Sequence, residues 1–168
     1  MKKIFLLLIL VILSCKQQSY KNKTLDFDQV SHFHIQMEDQ DLFDMASQDT
    51  LAFKQQFKVD ILLNNKFEKL SDTLFIKDLL EIGFVKNEIS KEKLSRLQSI
   101  FTFENEQTKK VNECINIYRD ILIFKTNNQI TGMAKVCLEC EMMHVVNSNK
   151  KLLTQLSEYD IEQLKQFK

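Results

Sequence analysis

Tyr118-Arg119-Asp120-Ile121-Leu122-Ile123-Phe124-Lys125, then Thr126-Asn127-Asn128-Gln129, then Ile130-Thr131-Gly132-Met133-Ala134-Lys135-Val136-Cys137 decides the fold class. Two runs rich in branched and aromatic residues flank a short polar break, the pattern of a β-hairpin. If Asn127-Asn128 is the loop, Thr126 faces Gln129. Asp120 then sits opposite Lys135, an ion pair of roughly 0.2 to 1 kcal/mol. In that register Ile121 faces Ala134 and Ile123 faces Gly132. A glycine opposite a branched side chain predicts close packing there by another element such as a helix.

Other segments extend the pattern in both directions. Val30 to Met37 alternates, with Phe33, Ile35 and Met37 on one face and His32, His34 and Gln36 on the other, as in a half-buried strand. Phe57, Val59, Ile61 and Leu63 alternate in the same way. Asn64-Asn65 and Lys66 to Leu70 follow, which predicts a second hairpin near 57–70. Asp72 to Ile82 places Phe75, Leu79 and Ile82 at helical spacing, with Gly83 as C-cap. Ser90 caps a predicted helix running to Phe101 with Leu94, Leu97 and Phe101 on one stripe. Ser157-Glu158-Tyr159-Asp160 resembles a capping box opening a terminal helix that buries Ile161 and Leu164. Asp41 to Gln56 fits a helix or a loop, and both remain open. The expected fold is α+β: a small antiparallel sheet, with hairpins near 57–70 and 118–137, packed with two to four helices.

The chain has 168 residues, 23 basic and 23 acidic, with 44% hydrophobic residues, two glycines and no proline. That length suits one domain, and the apolar content suffices for a core. Zero formal charge argues against nucleic acid as a partner. So few glycines exclude most phosphate-cradling loops, whose backbone must approach the ligand closely.

The N-terminus reads as an address. Met1-Lys2-Lys3 is basic, and Ile4 to Leu13 is an unbroken apolar run. Ten helical residues span about 15 Å, too short for a bilayer core of about 30 Å. This is the pattern of a secretory signal peptide. Ile12-Leu13-Ser14-Cys15 resembles the lipobox of bacterial lipoproteins. The resemblance implies cleavage before Cys15 and lipid modification of that residue. A multiply acylated cysteine anchors durably without a membrane span. The expected organisation is a signal peptide over 1–14, a lipidated cysteine and polar tether over 15–24, and one α+β domain over 25–168. Cleavage removes Lys2 and Lys3, leaving 21 basic against 23 acidic side chains. Lys16 after the cysteine favours the outer membrane, by resemblance to enterobacterial lipoproteins. The expected location is thus the bacterial cell envelope, with the membrane face left open.

Tyr118-Arg119-Asp120, Ile123-Phe124-Lys125 and Gly132-Met133-Ala134-Lys135-Val136-Cys137-Leu138-Glu139-Cys140 resemble a recurrent hairpin in small lipoproteins and secreted proteins of Bacteroidetes. In those proteins the second strand ends in Cys-x-x-Cys. The resemblance covers roughly residues 90–145 and carries no activity with it.

Three cysteines remain in the expected mature domain: Cys114, Cys137 and Cys140. In an oxidising compartment a disulfide is the first expectation, and the odd count leaves one thiol over. A bond from Cys114 to Cys140 needs a one-residue bulge; a bond from Cys114 to Cys137 is the other candidate pairing. Three further readings stand beside it. The thiols can be buried and reduced. Cys114, Cys137, Cys140 and His144 can form a metal site, since Cys-x2-Cys-x3-His has zinc-like spacing. Cys137 and Cys140 can form a redox pair, although such a motif normally opens a helix.

His32 and His34 share a strand face, so a His-x-His metal pair is geometrically possible. Two solvent-facing histidines without a carboxylate partner read as surface residues. Glu38, Asp39, Asp41 and Asp44 lack the central glycine and terminal glutamate of a calcium loop and read as a solvated face. No Gly-x-Ser-x-Gly, His-Glu-x-x-His or P-loop sequence occurs. The expectation is therefore a non-enzymatic, lipid-anchored envelope protein that binds or supports another envelope protein. It has no cofactor and no assigned metal. The alternative is an envelope redox or metal-binding protein using Cys114, Cys137, Cys140 and His144.

Overall fold

The computed structural model describes residues 23–63, 73–103, 114–147 and 151–167. The predicted signal peptide, Cys15, and the Asn64-Asn65 turn with its second arm lie outside them. The elements in chain order are β1 (Lys23–Thr24), β2 (Gln29–His34), α1 (Asp39–Ala46), α2 (Phe53–Leu63), α3 (Thr73–Glu81), β3 (Val85–Glu88) and α4 (Lys91–Ile100). They continue as β4 (Thr102–Phe103), β5 (Asp120–Thr126), β6 (Gln129–Cys137), β7 (Met142–Asn147), β8 (Lys151–Gln155) and α5 (Glu158–Lys165). Six strands form an antiparallel sheet in the order β3-β2-β5-β6-β7-β8, and β1 pairs with β4 in a separate two-stranded ribbon. The α+β class is as the sequence predicts. Among the described residues there are five helices, one more than the upper bound expected. None is long and apolar enough to cross a membrane.

Both faces of the sheet are covered, which explains why its central strands alternate so little. On one face Phe33, Ile121, Ile123 and Met133 pack with Leu42 of α1, Ile61 and Leu62 of α2, and Leu79 of α3. On the other, Val30, Leu122, Phe124, Ala134 and Val136 pack with Leu97 of α4, and with Ile161 and Leu164 of α5. Phe27, Phe101 and Phe124 cluster there, with ring centroids 4.5 to 6.4 Å apart in tilted and edge-to-face pairs, the geometry that aromatic quadrupoles favour. At the open edge β3 is fully exposed, and its Lys86 and Glu88 place charge where bare backbone would otherwise invite pairing.

The central hairpin turns through Asn127 and Asn128, both with positive φ (51° and 64°), and Thr126 faces Gln129 as expected. Beyond the turn the register departs from the expectation. Lys125 pairs with Ile130 but Phe124 pairs with Gly132, so Thr131 is an unpaired extra residue, a β-bulge. Its hydroxyl donates to the carbonyls of Asp26 (3.3 Å) and Phe124 (3.4 Å). Every pair past the bulge is displaced by one. Asp120 faces Val136 and Ile121 faces Lys135, so the expected Asp120–Lys135 ion pair does not form. Ile123 faces Met133, and Gly132 lies opposite Phe124. The close approach at Gly132 comes from Leu25 and the Val146 carbonyl rather than from a helix.

The expected strand over Phe57–Leu63 is the second half of helix α2. Its alternation also contains helical spacings, because Phe57 and Ile61 are four apart, as are Val59 and Leu63. Lys54, Gln55 and Gln56 are good helix formers just ahead of it. The segment left open, Asp41 to Gln56, resolves into parts of α1 and α2 joined by a short loop. Gly83 takes φ +103° after α3, as expected of a C-cap. Ser90 precedes α4, although its side chain makes no capping bond. Ser157 and Asp160 form the full capping box of α5. Lys23 and Thr24, read as the end of the tether, pair with Phe103 and Thr102 and so belong to the fold.

Candidate functional site

The bulge at Thr131 sets which face each polar residue of the hairpin occupies, because a one-residue slip exchanges the faces. Asp120 goes to the face shared with α5, and Lys135 goes to the opposite one. Strand β2 pairs with β5 antiparallel, with His34 opposite Asp120 and His32 opposite Leu122. The alternation of β2 therefore brings His32 and His34 to the same face as Asp120.

The three side chains converge on one oxygen. Asp120 Oδ1 lies 2.8 Å from His32 Nε2 and 2.8 Å from His34 Nδ1. His32 Nδ1 lies 3.1 Å from the Phe167 carbonyl oxygen, just past the end of α5. A carbonyl only accepts, so His32 Nδ1 carries hydrogen and Nε2 points at the carboxylate. His32 and Asp120 are buried, and the His34 side chain is 27% exposed. The expectation of two solvent-facing histidines without a carboxylate is thus overturned. Their carboxylate comes from the neighbouring strand, 86 residues on from His34, and their cover comes from the C-terminal helix. A small cleft of about 10 Å³ borders the group, lined by His32, Asp120, Leu122, Val136, Leu164 and Phe167. That is room for about one water molecule or a small ion, not an organic substrate.

Arg119, next to Asp120 in the chain, braces the end of β2. Its Nε donates to the Met37 carbonyl at 3.1 Å and its guanidinium pairs with Asp39, with Glu139 3.7 Å away. Its own carbonyl accepts the Ile35 amide at 3.1 Å. This fixes the alignment of β2 on β5 at the point where His34 and Asp120 meet.

The cysteines gather at the C-terminal end of β6, where Cys137 follows Val136, the partner of Asp120, but faces the other side of the sheet. Cys114 and Cys140 have their sulfurs at bonding distance and their Cα atoms 5.7 Å apart, one of the two pairings the sequence suggests. Glu141, at φ +56°, turns the chain between β6 and β7. Cys137 is buried beside the pair; the Cys140 amide donates to its sulfur at 3.4 Å. Burial pushes the Cys137 thiol up, which disfavours the thiolate that redox or metal chemistry needs. His144 lies on β7 opposite Lys135. The alternative metal set Cys114, Cys137, Cys140 and His144 is not among the groups of described residues whose ligand atoms come together. Among the described residues, the group that does bring ligand atoms together is His32, His34 and Asp120, all within 4.8 Å of one another. Sequence reasoning misses Asp120 because it assigns that residue to Lys135; the surviving signal is one acid heading the apolar run Ile121–Phe124. Comparison of the chain with protein-family models, curated proteins and solved structures yields no match.

Proposed function

We propose that the protein is a lipid-anchored component of the bacterial cell envelope whose folded domain acts as a binding module. The observation that carries this is Ile12-Leu13-Ser14-Cys15 closing the apolar run Ile4–Leu13, because such a run is too short to span a bilayer and a lipidated cysteine supplies the missing anchor. Two further features support it. The Cys114–Cys140 pairing suits an oxidising compartment. Lys23 joins β1, which leaves the polar Lys16–Asn22 segment to connect lipid and fold.

The test is metabolic labelling with an alkyne palmitate analogue, followed by membrane fractionation. The wild-type chain is expected to take up label and to sediment with membranes. Cys15→Ala is expected to lose the label and leave the membrane fraction. A Cys15→Ala chain that is still labelled and still membrane-bound overturns the reading.

A further inference from the structure

We propose that His32, His34 and Asp120 form a binding site for one divalent transition-metal ion of the zinc type. The inference concerns the folded domain alone and does not depend on the lipid anchor. The donor set comes first. Two imidazoles and a carboxylate are ligands that zinc, nickel and copper accept, and three protein ligands leave a position for water or an outside ligand. His32 Nε2, His34 Nδ1 and an Asp120 oxygen lie within 4.8 Å of one another.

The geometry is close to what a metal needs. Zinc ligands about 2.0 to 2.1 Å from the ion at tetrahedral angles are about 3.3 Å apart. The two nitrogen–oxygen separations here are 2.8 Å. Opening each by about half an ångström, with the two nitrogens, no more than 4.8 Å apart, brought to the same spacing, admits the ion, and rotation about the side-chain torsions of Asp120 and the part-exposed His34 provides that.

The surroundings are those of a ligand rather than of a casual contact. His32 Nδ1–H is held by the Phe167 carbonyl at 3.1 Å. This fixes the tautomer and leaves Nε2 as the donor to the site, as is usual for metal-bound histidines. All three ligands sit on adjacent strands inside the sheet, with backbone positions set by the β2–β5 register, so the site is built on rigid elements. His34, 27% exposed, opens it to solvent on one side and gives an entry path. Because the Phe167 carbonyl just past α5 holds the His32 ring, the ion would also secure the C-terminal helix to the sheet.

The test uses the full chain carrying Cys15→Ala, dialysed against a chelator and titrated with zinc alone by calorimetry. X-ray absorption then reports the ligands in the complex. One equivalent of zinc with nitrogen and oxygen ligands and no sulfur is expected. His34→Gln, at the part-exposed position, is expected to weaken binding by more than about 100-fold, beyond the 10- to 100-fold typical of outer-shell changes; Asp120→Asn should do the same. No zinc uptake by the chelator-treated parent chain overturns the proposal and leaves a purely hydrogen-bonded triad. Sulfur in the first shell, or unchanged affinity in His34→Gln, also overturns it.

Discussion

Lys135 Nζ sits 4.7 Å from the ring centroid of Tyr118, and both side chains are fully buried. A protonated amine there gains from the ring face but loses its hydration. Burial pushes the amine down to about 7, with the Asp60 carboxylate of α2 acting the other way. Cys137 and His144 share this side of the sheet, Cys137 two residues along β6 and His144 directly opposite Lys135 on β7.

The pH dependence of stability follows from that depressed amine. An unfolded lysine titrates near 10.4. Between about pH 7 and pH 10 the unfolded chain therefore binds a proton that the native state lacks, and stability rises with pH by up to about 1.4 kcal/mol per unit. Cys137 opposes this above about pH 8.5, because its raised thiol keeps a proton that the unfolded chain loses. Tyr118, pushed up to about 12 mainly by burial, adds to the opposition above pH 10. The clean window is pH 7 to 8.5. Urea unfolding of the parent chain is expected to show a gain of about 1 to 2 kcal/mol across it, and Lys135→Met should flatten the profile and be the more stable at pH 7. A Lys135→Met profile as steep as the parent's would refute the account.

The cysteine arrangement predicts a thiol count. In a chain carrying Cys15→Ala, the Cys114–Cys140 pair leaves Cys137 as the single thiol, and its burial makes it slow to react. A chromogenic thiol reagent should find almost none in the native protein and one after denaturation without reductant. Removing the pair by Cys114→Ser opens a link across 26 residues, worth about 3 to 4 kcal/mol by loop entropy. Three thiols in the denatured, unreduced chain would rule the pairing out.

The terminal helix covers the histidine site, and its start is set by a reciprocal cap. Asp160 N–H donates to Ser157 Oγ at 3.2 Å, and Ser157 N–H donates to Asp160 Oδ2 at 3.0 Å. Ser157→Ala should cost about 1 kcal/mol. Hydrogen exchange should then quicken in α5 before it quickens in β5 and β6. Uniform quickening throughout the domain would instead mean that α5 unfolds only together with the sheet.

The elements legible in the sequence were those with local chemistry. Asn127-Asn128, Ser157 with Asp160, and Gly83 each fix backbone within four residues, and each sits where it was expected. The failures required distant partners. Phe57–Leu63 carries a spacing that suits strand or helix, and only burial against Phe33 and Ile121 selects the helix. Thr131 gives no local sign of bulging; one of its two hydroxyl partners is Asp26, more than a hundred residues away. That one residue hid the site, since the unbulged register gives Asp120 to Lys135 and leaves His32 and His34 without their carboxylate.

Gly132 offers the sharpest packing test. A Cβ there would meet Leu25 Cδ1 at 2.9 Å and Cδ2 at 3.1 Å, with the Val146 carbonyl oxygen at 3.2 Å. Leu25 is itself buried against Phe27, Phe124 and their neighbours, so it has little room to withdraw. Gly132→Ala should therefore destabilise by about 1 to 3 kcal/mol, the usual cost of overpacking. Leu25→Ala alone should cost about 2 to 5 kcal/mol through the lost burial and the cavity. The double variant should be more stable than the sum of the two predicts, because the added methyl then occupies space that Leu25 vacated. The coupling expected for residues in direct contact is about 0.5 to 3 kcal/mol. Strict additivity in a urea-unfolding double-mutant cycle would mean that Val146, rather than Leu25, sets the limit at Gly132.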